Sequence, residues 1–321
     1  MKSDSKIYVA GHNGLAGSAI VRRLRRSGFN NIVTRSHADL DLIDGDSVRK
    51  FFREERPEFV FLAAARVGGI LANATQPVEF LSENLAIELN VIREAFAVGV
   101  QRLLFLGSSC IYPRDCPQPI REEYLLTGPL EETNRAYALA KIAGVELCRA
   151  YNKQHGTQYL AAMPTNLYGP GDNFDLEASH VLPALVRKIV AATVEGAKEV
   201  VVWGTGKPRR EFLHSDDMAD ACVLLMNLPD AEFVQLCSTG SAAPLINVGC
   251  GTDITIADLA QLIASTANFN GKIVFDPTRP DGTPRKLLDI SRLSSLGWKP
   301  AVKLSEGIAQ VVSAYAANAH R

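Results

Sequence analysis

Tyr137-Ala138-Leu139-Ala140-Lys141 places a phenol and an ammonium four residues apart. On a helix, positions i and i+4 share a face, so both groups can point into one cleft. A cation beside a phenol favours the phenolate and is expected to lower the tyrosine pKa toward the working pH. That suits a group which passes a proton to or from a carbonyl as hydride moves. Upstream, the apolar run 103–106 ends in Gly107-Ser108-Ser109-Cys110-Ile111-Tyr112, and Ser108 at a strand end can hydrogen-bond the same carbonyl oxygen. The Tyr-x-x-x-Lys spacing alone is common on solvated helices, so its weight comes from what precedes it.

What precedes it is Gly11-His12-Asn13-Gly14-Leu15-Ala16-Gly17, directly after the apolar run 7–10 and opening a helix-period segment. Gly11 permits a tight turn, Gly14 lets a pyrophosphate approach the backbone, and Gly17 lets the helix pack against the strand. The helix amino terminus attracts negative charge. Strand, glycines and helix in this order favour a dinucleotide site over an ordinary glycine-rich turn. A site built for NAD carries an acid near the end of the second strand. Here that strand ends Thr34-Arg35-Ser36-His37, with no acid until Asp39. Arg35 and His37 are therefore expected to meet a 2′-phosphate, with Asn13 adding hydrogen bonds, which makes the expected cofactor NADP(H).

These residues need a scaffold, and the first half of the chain supplies an alternation. Strands are expected at 7–10, 31–35, 59–65, 102–107 and 159–164, and helices at 18–27, 47–55, 79–98 and 136–154. Strictly alternating strands and helices predict an α/β fold, a Rossmann-type doubly wound parallel sheet. The strands are nearly all apolar, as buried parallel strands are. In the helix at 79–98, Leu85, Leu89, Ile92 and Phe96 fall on one side. After Tyr168 the rhythm becomes irregular, beginning with the loop Gly169-Pro170-Gly171-Asp172 and a helix at 181–193. Residues 1–167 read as the nucleotide-binding domain and 168–321 mainly as a smaller α/β substrate-binding lobe, with Ile246-Asn247-Val248-Gly249 a candidate to return to the first sheet.

Composition narrows the class. The 321 residues are 47% hydrophobic and 21% charged, ordinary globular usage that excludes disorder and collagen-like structure. A net charge of -1 advertises neither a nucleic-acid-binding face nor a polybasic membrane anchor. No apolar stretch approaches the roughly 18–20 residues of a membrane span, and the polar start lacks a secretory core. Cys110, Cys116, Cys148, Cys222, Cys237 and Cys250 show no C-x-x-C spacing. Reduced thiols in a cytoplasmic protein are expected, with no metal site.

Taken together, the glycine-rich turn, Leu62-Ala63-Ala64-Ala65, Ser108 and Tyr137/Lys141 make the sequence resemble the extended short-chain dehydrogenase/reductase family. Longer strings sharpen the resemblance: Ala65-Arg66-Val67-Gly68-Gly69-Ile70, Gly107 through Pro113, Met163-Pro164-Thr165-Asn166-Leu167-Tyr168-Gly169-Pro170, Arg210-Glu211-Phe212-Leu213-His214 and Asp281-Gly282-Thr283-Pro284-Arg285-Lys286. They point to its branch that uses NADPH to epimerise C3 and C5 and reduce C4 of GDP-4-keto-6-deoxy-D-mannose. The ketone acidifies the hydrogens at C3 and C5, so two further proton-handling groups are needed. The resemblance implies Cys110 as base and His180 as acid, roles that a depressed thiol pKa and a near-neutral imidazole would suit.

It also implies that the cofactor touches Gly11, Asn13, Gly14, Leu15, Gly17, Arg35, His37, Asp41, Leu42, Leu106, Gly107, Lys141, Pro164, Asn166, Leu167 and His180. In the substrate lobe it implies Lys188, Trp203 (with Val201), Arg210, Asp281 and Lys286. Arg210 and Lys286 are the expected phosphate partners, although Arg209 and Arg285 adjoin them and the sequence does not choose within each pair. The remaining cysteines are assigned to the core. His12, His155 and His320 are assigned to surface or structural positions, and His214 to structural hydrogen bonding. The family usually dimerises by pairing two long helices across a two-fold axis, and the helices at 79–98 and 136–154 permit this.

Two rivals remain open. One is a sugar-nucleotide 4-epimerase or 4,6-dehydratase on the same scaffold, although the dehydratase acid pair is missing at Ser109-Cys110. The other is a non-catalytic NADP(H) sensor, which typically lacks the tyrosine or lysine kept here.

Overall fold

The computed structural model describes residues 1–175, 179–238, 243–279 and 281–319. In chain order its strands are β1 (Ile7–Ala10), β2 (Ile32–Val33), β3 (Phe59–Leu62), β4 (Arg102–Leu106), β5 (Tyr159–Pro164), β6 (Asn166–Tyr168), β7 (Glu199–Trp203), β8 (Arg209–His214), β9 (Leu245–Val248), β10 (Asp253–Thr255), β11 (Lys272–Asp276) and β12 (Arg285–Lys286). Its helices are α1 (Leu15–Arg26), α2 (Gly45–Glu55), α3 (Ile70–Thr75), α4 (Pro77–Ala97), α5 (Arg135–His155), α6 (Val181–Val194), α7 (Ser215–Asn227), α8 (Asp230–Cys237), α9 (Ile256–Thr266), α10 (Ser291–Ser295) and α11 (Leu304–Ala319). No helix among the described residues is long and apolar enough to cross a membrane.

The main sheet has the order β2-β1-β3-β4-β5-β9, with every pair parallel. Successive strand residues point to opposite faces. Val9, Phe61, Leu104, Leu160 and Ile246 pack under α1, α7 and α8. Tyr8, Val60, Leu103, Phe105 and Tyr159 pack under α2, α4 and α5. The chain thus covers both faces, and β9 joins the sheet from the second half of the sequence. Because β2 and β3 flank β1 on opposite sides, the connections diverge there. Ligands of such sheets bind outside the carboxyl ends of the strands at that point.

Several boundaries differ from the sequence reading for local reasons. Only Ile32 and Val33 pair as β2, opposite Ile7 and Tyr8 of β1. The third strand stops at Leu62 rather than 65. The second helix starts two residues early because Asp44 caps it, its side chain accepting from Asp46 N at 3.1 Å. In α4, Ile92 is buried, but Leu89 and Phe96 are 44% and 38% exposed. The inward side of α4 instead carries Asn84, Glu88 and Asn90, all buried.

The second layer is smaller. β8 pairs with β6 and β12 in parallel and with β10 antiparallel, while β7 and β11 form a separate parallel pair. Leu185, Val186, Ile189, Leu259, Ile263 and Ile308 from α6, α9 and α11 supply its core. The fully buried Glu211 of β8 ties this layer to the first. Its carboxylate accepts from Cys250 N, Gly251 N and Leu288 N at 2.6, 2.7 and 3.0 Å. Its carbonyl accepts from Thr165 and Asn166 just beyond β5.

Candidate active site

A cleft of about 1430 Å³ opens at the carboxyl ends of β1, β3, β4 and β5 and extends to β8 and β12. The glycine-rich turn forms one end of it. Gly11 has φ +79°, and a Cβ there would sit 2.8 Å from the Ala63 and Ala64 backbone, so only glycine fits. A Cβ at Gly17 would lie 2.1 Å from the Gly11 carbonyl oxygen. Gly17 therefore packs the helix onto the turn, and it does not border the cleft, contrary to the expectation that the cofactor touches it. Gly14 is different. A Cβ there meets nothing nearer than 3.5 Å, so the protein's own packing does not require glycine, whereas a ligand backed against the turn would. Helix α1 has no side-chain cap and no acid in its first turn, which leaves its positive end open to an anion. These features fit a dinucleotide pyrophosphate. Asn13 and Leu15 complete the turn's lining.

Arg35 reaches the cleft with its charge already shared. It pairs with Glu55, donates to the Thr34 carbonyl at 2.8 Å and lies over the Phe51 ring at 5.4 Å. His37 is largely exposed, 3.8 Å from Asp41. Asp41 accepts from Ile43 N, and the Leu42 carbonyl accepts from Asn90, so this segment is held by α4. At the end of β4, a Cβ on Gly107 would lie 2.2 Å from the Met163 methyl carbon, which brings backbone rather than side chain to the cleft. Leu106, Pro164, Asn166 and Leu167 border the same space, with Asn166 pinned by its 2.9 Å bond to Glu211 O. His12, read as surface or structural, also lines the cleft.

Ser108, Cys110, Tyr137, Lys141 and His180 all line this one cleft. Ser108 caps the short turn Ser109–Ile111, its Oγ accepting from Cys110 N at 3.4 Å. Lys141 lies 5.7 Å from the Tyr137 ring centre, as the i, i+4 spacing predicts. The expected electrostatics of the pair need correction. Tyr137 is pushed well above the usual phenol range by burial, and Cys110 and the Glu88 carboxylate push it further. The Lys141 ammonium sits 3.1 Å from Glu88 Oε1, so its charge is largely answered before it reaches the phenol. Burial also raises the Cys110 thiol, against the pull of Lys286, Ser108 and Lys141. His180 is lowered by burial and by Lys286. The free protein therefore rests with a protonated thiol and a neutral imidazole, the reverse of the base and acid states read from the sequence.

On the far side, β12 aligns Lys286 with Arg210 of β8. Both border the cleft, whereas Arg209 and Arg285 turn away to share Asp253, at 2.8 and 2.5 Å. The choice within each pair is thus made by Asp253. Burial lowers the Lys286 pKa, and Arg210 beside it lowers it further against the opposing effect of Cys110, so two adjacent cations await an anion. The ring of Trp203 is not core. It is 63% exposed, with Lys188 Nζ at 5.2 Å and the Arg279 guanidinium at 5.1 Å from its centre. Val201 does not border the cleft, whereas Val202 does. Asp281 is held by Thr205, accepting from its N and Oγ1 at 2.9 and 2.7 Å.

Outside the cleft, Cys148, Cys222 and Cys237 are buried, while Cys116 and Cys250 are half-buried rather than core, and none of the six cysteines is disulfide-bonded. His214 caps α7 by accepting from Asp216 N at 3.2 Å, and His155 stacks on Phe96 at 4.4 Å. His320 lies outside the described residues. Glu88 was missed from the sequence. Its only signal was a polar run at helical spacing, Asn84-Glu88 with Asn90, on a helix otherwise read for its apolar stripe.

A glycine-rich turn that fits a dinucleotide, with a serine, a phenol and an ammonium lining the same cleft, matches a nicotinamide-dependent oxidoreductase. The chain belongs to the NAD dependent epimerase/dehydratase family, whose model matches residues 7–236. It is 54% identical over 314 residues to GDP-L-fucose synthase 1 of Arabidopsis thaliana, covering 98% of this chain and 94% of that one. It is 50% identical over 319 residues to GDP-L-fucose synthase of Escherichia coli (strain K12), covering 99% of each. Among solved structures, a GDP-L-fucose synthetase from Naegleria fowleri bound to NADP matches with a TM-score of 0.86 at 29% identity, covering 100% of this chain and 96% of that one.

Proposed function

We propose that this protein converts GDP-4-keto-6-deoxy-D-mannose to GDP-L-fucose by epimerising C3 and C5 and reducing C4 with NADPH. The observation that carries the proposal is the gathering of Cys110 and His180 around the same cleft as Ser108, Tyr137 and Lys141, beside the Arg210–Lys286 cation pair. A simple ketone reductase needs only the second set. The relatives named GDP-L-fucose synthase support the substrate.

In this reading the pyrophosphate of the cofactor lies on the α1 amino terminus at Gly14, and Arg35, His37 and Asn13 meet the 2′-phosphate. Arg35 reaches it by sharing its guanidinium with Glu55. When bound there, NADPH supplies the hydride for C4. The GDP diphosphate sits against Arg210 and Lys286, with Trp203 and Lys188 beside it. The working pair is a Cys110 thiolate and a His180 imidazolium, which differs from the free thiol and imidazole by one proton relocated and so carries no net change in charge. The thiolate then takes the acidified proton at C3 or C5, and the imidazolium returns one to the opposite face. Diphosphate bound at Lys286 offsets that lysine's part in lowering the His180 pKa, which is smaller than the part of burial. Ser108 holds the C4 oxygen, and Tyr137 gives it a proton as reduction completes. Residues 1–167 supply the nucleotide domain, with β9 added to its sheet, and 168–321 mainly the substrate lobe. The exposed Leu89, Phe96 and Leu139 on α4 and α5 mark the surface on which two copies pair.

The test is deuterium uptake. In D2O with substrate and no NADPH, the wild type exchanges hydrogen at C3 and C5, and Cys110→Ser or His180→Gln suppresses it. Wild-type exchange in Cys110→Ser would remove the thiol from the mechanism.

A further inference from the structure

Lys141 and Glu88 form an ion pair buried in the protein, each side chain only 1% exposed. Glu88 projects from α4 across the sheet face to α5, its Oε1 3.1 Å from Lys141 Nζ. Neither carboxylate oxygen has another hydrogen-bond partner among the described residues. The same ammonium donates to the Leu106 carbonyl at 3.2 Å and faces the rings of Phe105 at 4.6 Å and Tyr137 at 5.7 Å. Burial pushes the Glu88 carboxyl above its ordinary range, and the Lys141 ammonium pulls it the other way. The two charges offset each other across this contact. The arrangement is tight, because a Cβ on Gly144 would lie 2.8 Å from Glu88 Oε2.

This pair stands beside the proton donor of the proposed reaction. With Lys141 unanswered, its charge would draw the Tyr137 proton off early, leaving a phenolate unable to serve as the acid for C4 reduction. We propose that Glu88 is a positioning residue for the reduction step, which fixes the Lys141 ammonium and balances its charge so that Tyr137 keeps its proton until the C4 oxygen needs it. When Tyr137 gives up that proton, the ammonium remains at hand to steady the phenolate, which regains a proton from solvent. The inference rests on Tyr137 acting as proposed above. The other titratable groups facing the cluster are Cys110 beyond β4, which Lys286 on β12 faces in turn, and Cys148 on α5, while Arg66 and Glu83 pair with each other at 3.0 Å. Among the described residues, Glu88 is the only carboxylate that touches Lys141.

The test is Glu88→Gln, which keeps the shape and removes the charge. Its expected signature is a basic limb of the single-turnover reduction rate displaced to lower pH by about one to three units, the range for a neighbouring charge. Hydrogen exchange at C3 and C5 at neutral pH stays at the wild-type rate. A limb that coincides with the wild type, or a rate lowered by the same factor at every pH, would overturn the inference, since a packing defect gives the latter. Should Glu88→Gln not fold, Glu88→Asp draws the charge back by one methylene and moves the limb the same way by less, and no movement overturns the idea. If the wild type reduces no GDP-4-keto sugar, the function proposed above fails separately. Spectroscopic titration of the Tyr137 phenolate, with Tyr137→Phe subtracted, then decides. Onset at lower pH in Glu88→Gln supports the inference, and an unchanged onset refutes it.

Discussion

Two glycines three residues apart in the first turn are required for different reasons, and alanine at each separates them. At Gly17 the added methyl would be 2.1 Å from a backbone oxygen and 2.6 Å from its carbon. Backbone cannot swing away as a side-chain tip does, so α1 must shift off the turn. Overpacking of this kind costs about 1–3 kcal/mol or more. At Gly14 the nearest atom is 3.5 Å away, and φ -78°, ψ 168° is open to alanine. Alanine is a poorer helix N-cap than glycine, a loss of roughly 0.5–1 kcal/mol. It also restricts the unfolded chain, a gain of about 0.4–1 kcal/mol, so the net change is near zero. Its methyl occupies space that a pyrophosphate needs against the helix N–H groups. Gly14→Ala should therefore melt with the wild type yet bind NADPH at least about tenfold more weakly, about 1.4 kcal/mol. Gly17→Ala should melt several degrees lower. Thermal unfolding and fluorescence titration of NADPH read both effects. Wild-type NADPH affinity in Gly14→Ala, or a stability loss there equal to that of Gly17→Ala, would refute the reasoning.

The other expectations are more compact. Tyr137→Phe abolishes C4 reduction but leaves exchange at C3 and C5 intact, read by NADPH absorbance and by mass spectrometry in D2O. Asp253, shared by Arg209 and Arg285, is held below its ordinary pKa despite the opposing effect of its burial. Its contribution to stability is thus fully present above the usual carboxylate range and lost as pH falls through the depressed value, so Asp253→Asn should flatten the acid side of a melting-temperature profile. Leu89→Glu on the exposed face of α4 should turn a dimer into a monomer by sedimentation equilibrium, with each subunit's melting behaviour little changed.

Much of this architecture was legible because burial writes itself into patterns. Strands such as Phe59–Leu62 and Arg102–Leu106 are buried along their whole length, and short apolar runs announce that. The cleft was legible because its residues sit at strand ends and first turns, where chain position dictates location. Three things were hidden. The buried polar side of α4 carries no sequence signal of its own, since periodicity counts apolar residues and cannot see that Asn84 and Asn90 bond to the backbone at Arg66, Phe80, Leu42 and Ile43. The choice of Arg210 and Lys286 over their neighbours depends on Asp253, more than thirty residues from each neighbour that it captures. The raised pKa of Tyr137 comes first from burial and then from Cys110 and Glu88, and no spacing rule connects Glu88 to it.

The central claim is that one cleft both inverts two carbons and reduces a third. Incubation with GDP-4-keto-6-deoxy-D-mannose and NADPH in D2O tests it most directly. The account predicts one NADPH consumed per sugar and GDP-L-fucose carrying deuterium at both C3 and C5. A reduced 6-deoxy sugar that keeps the D configuration and carries no deuterium at those carbons would contradict it.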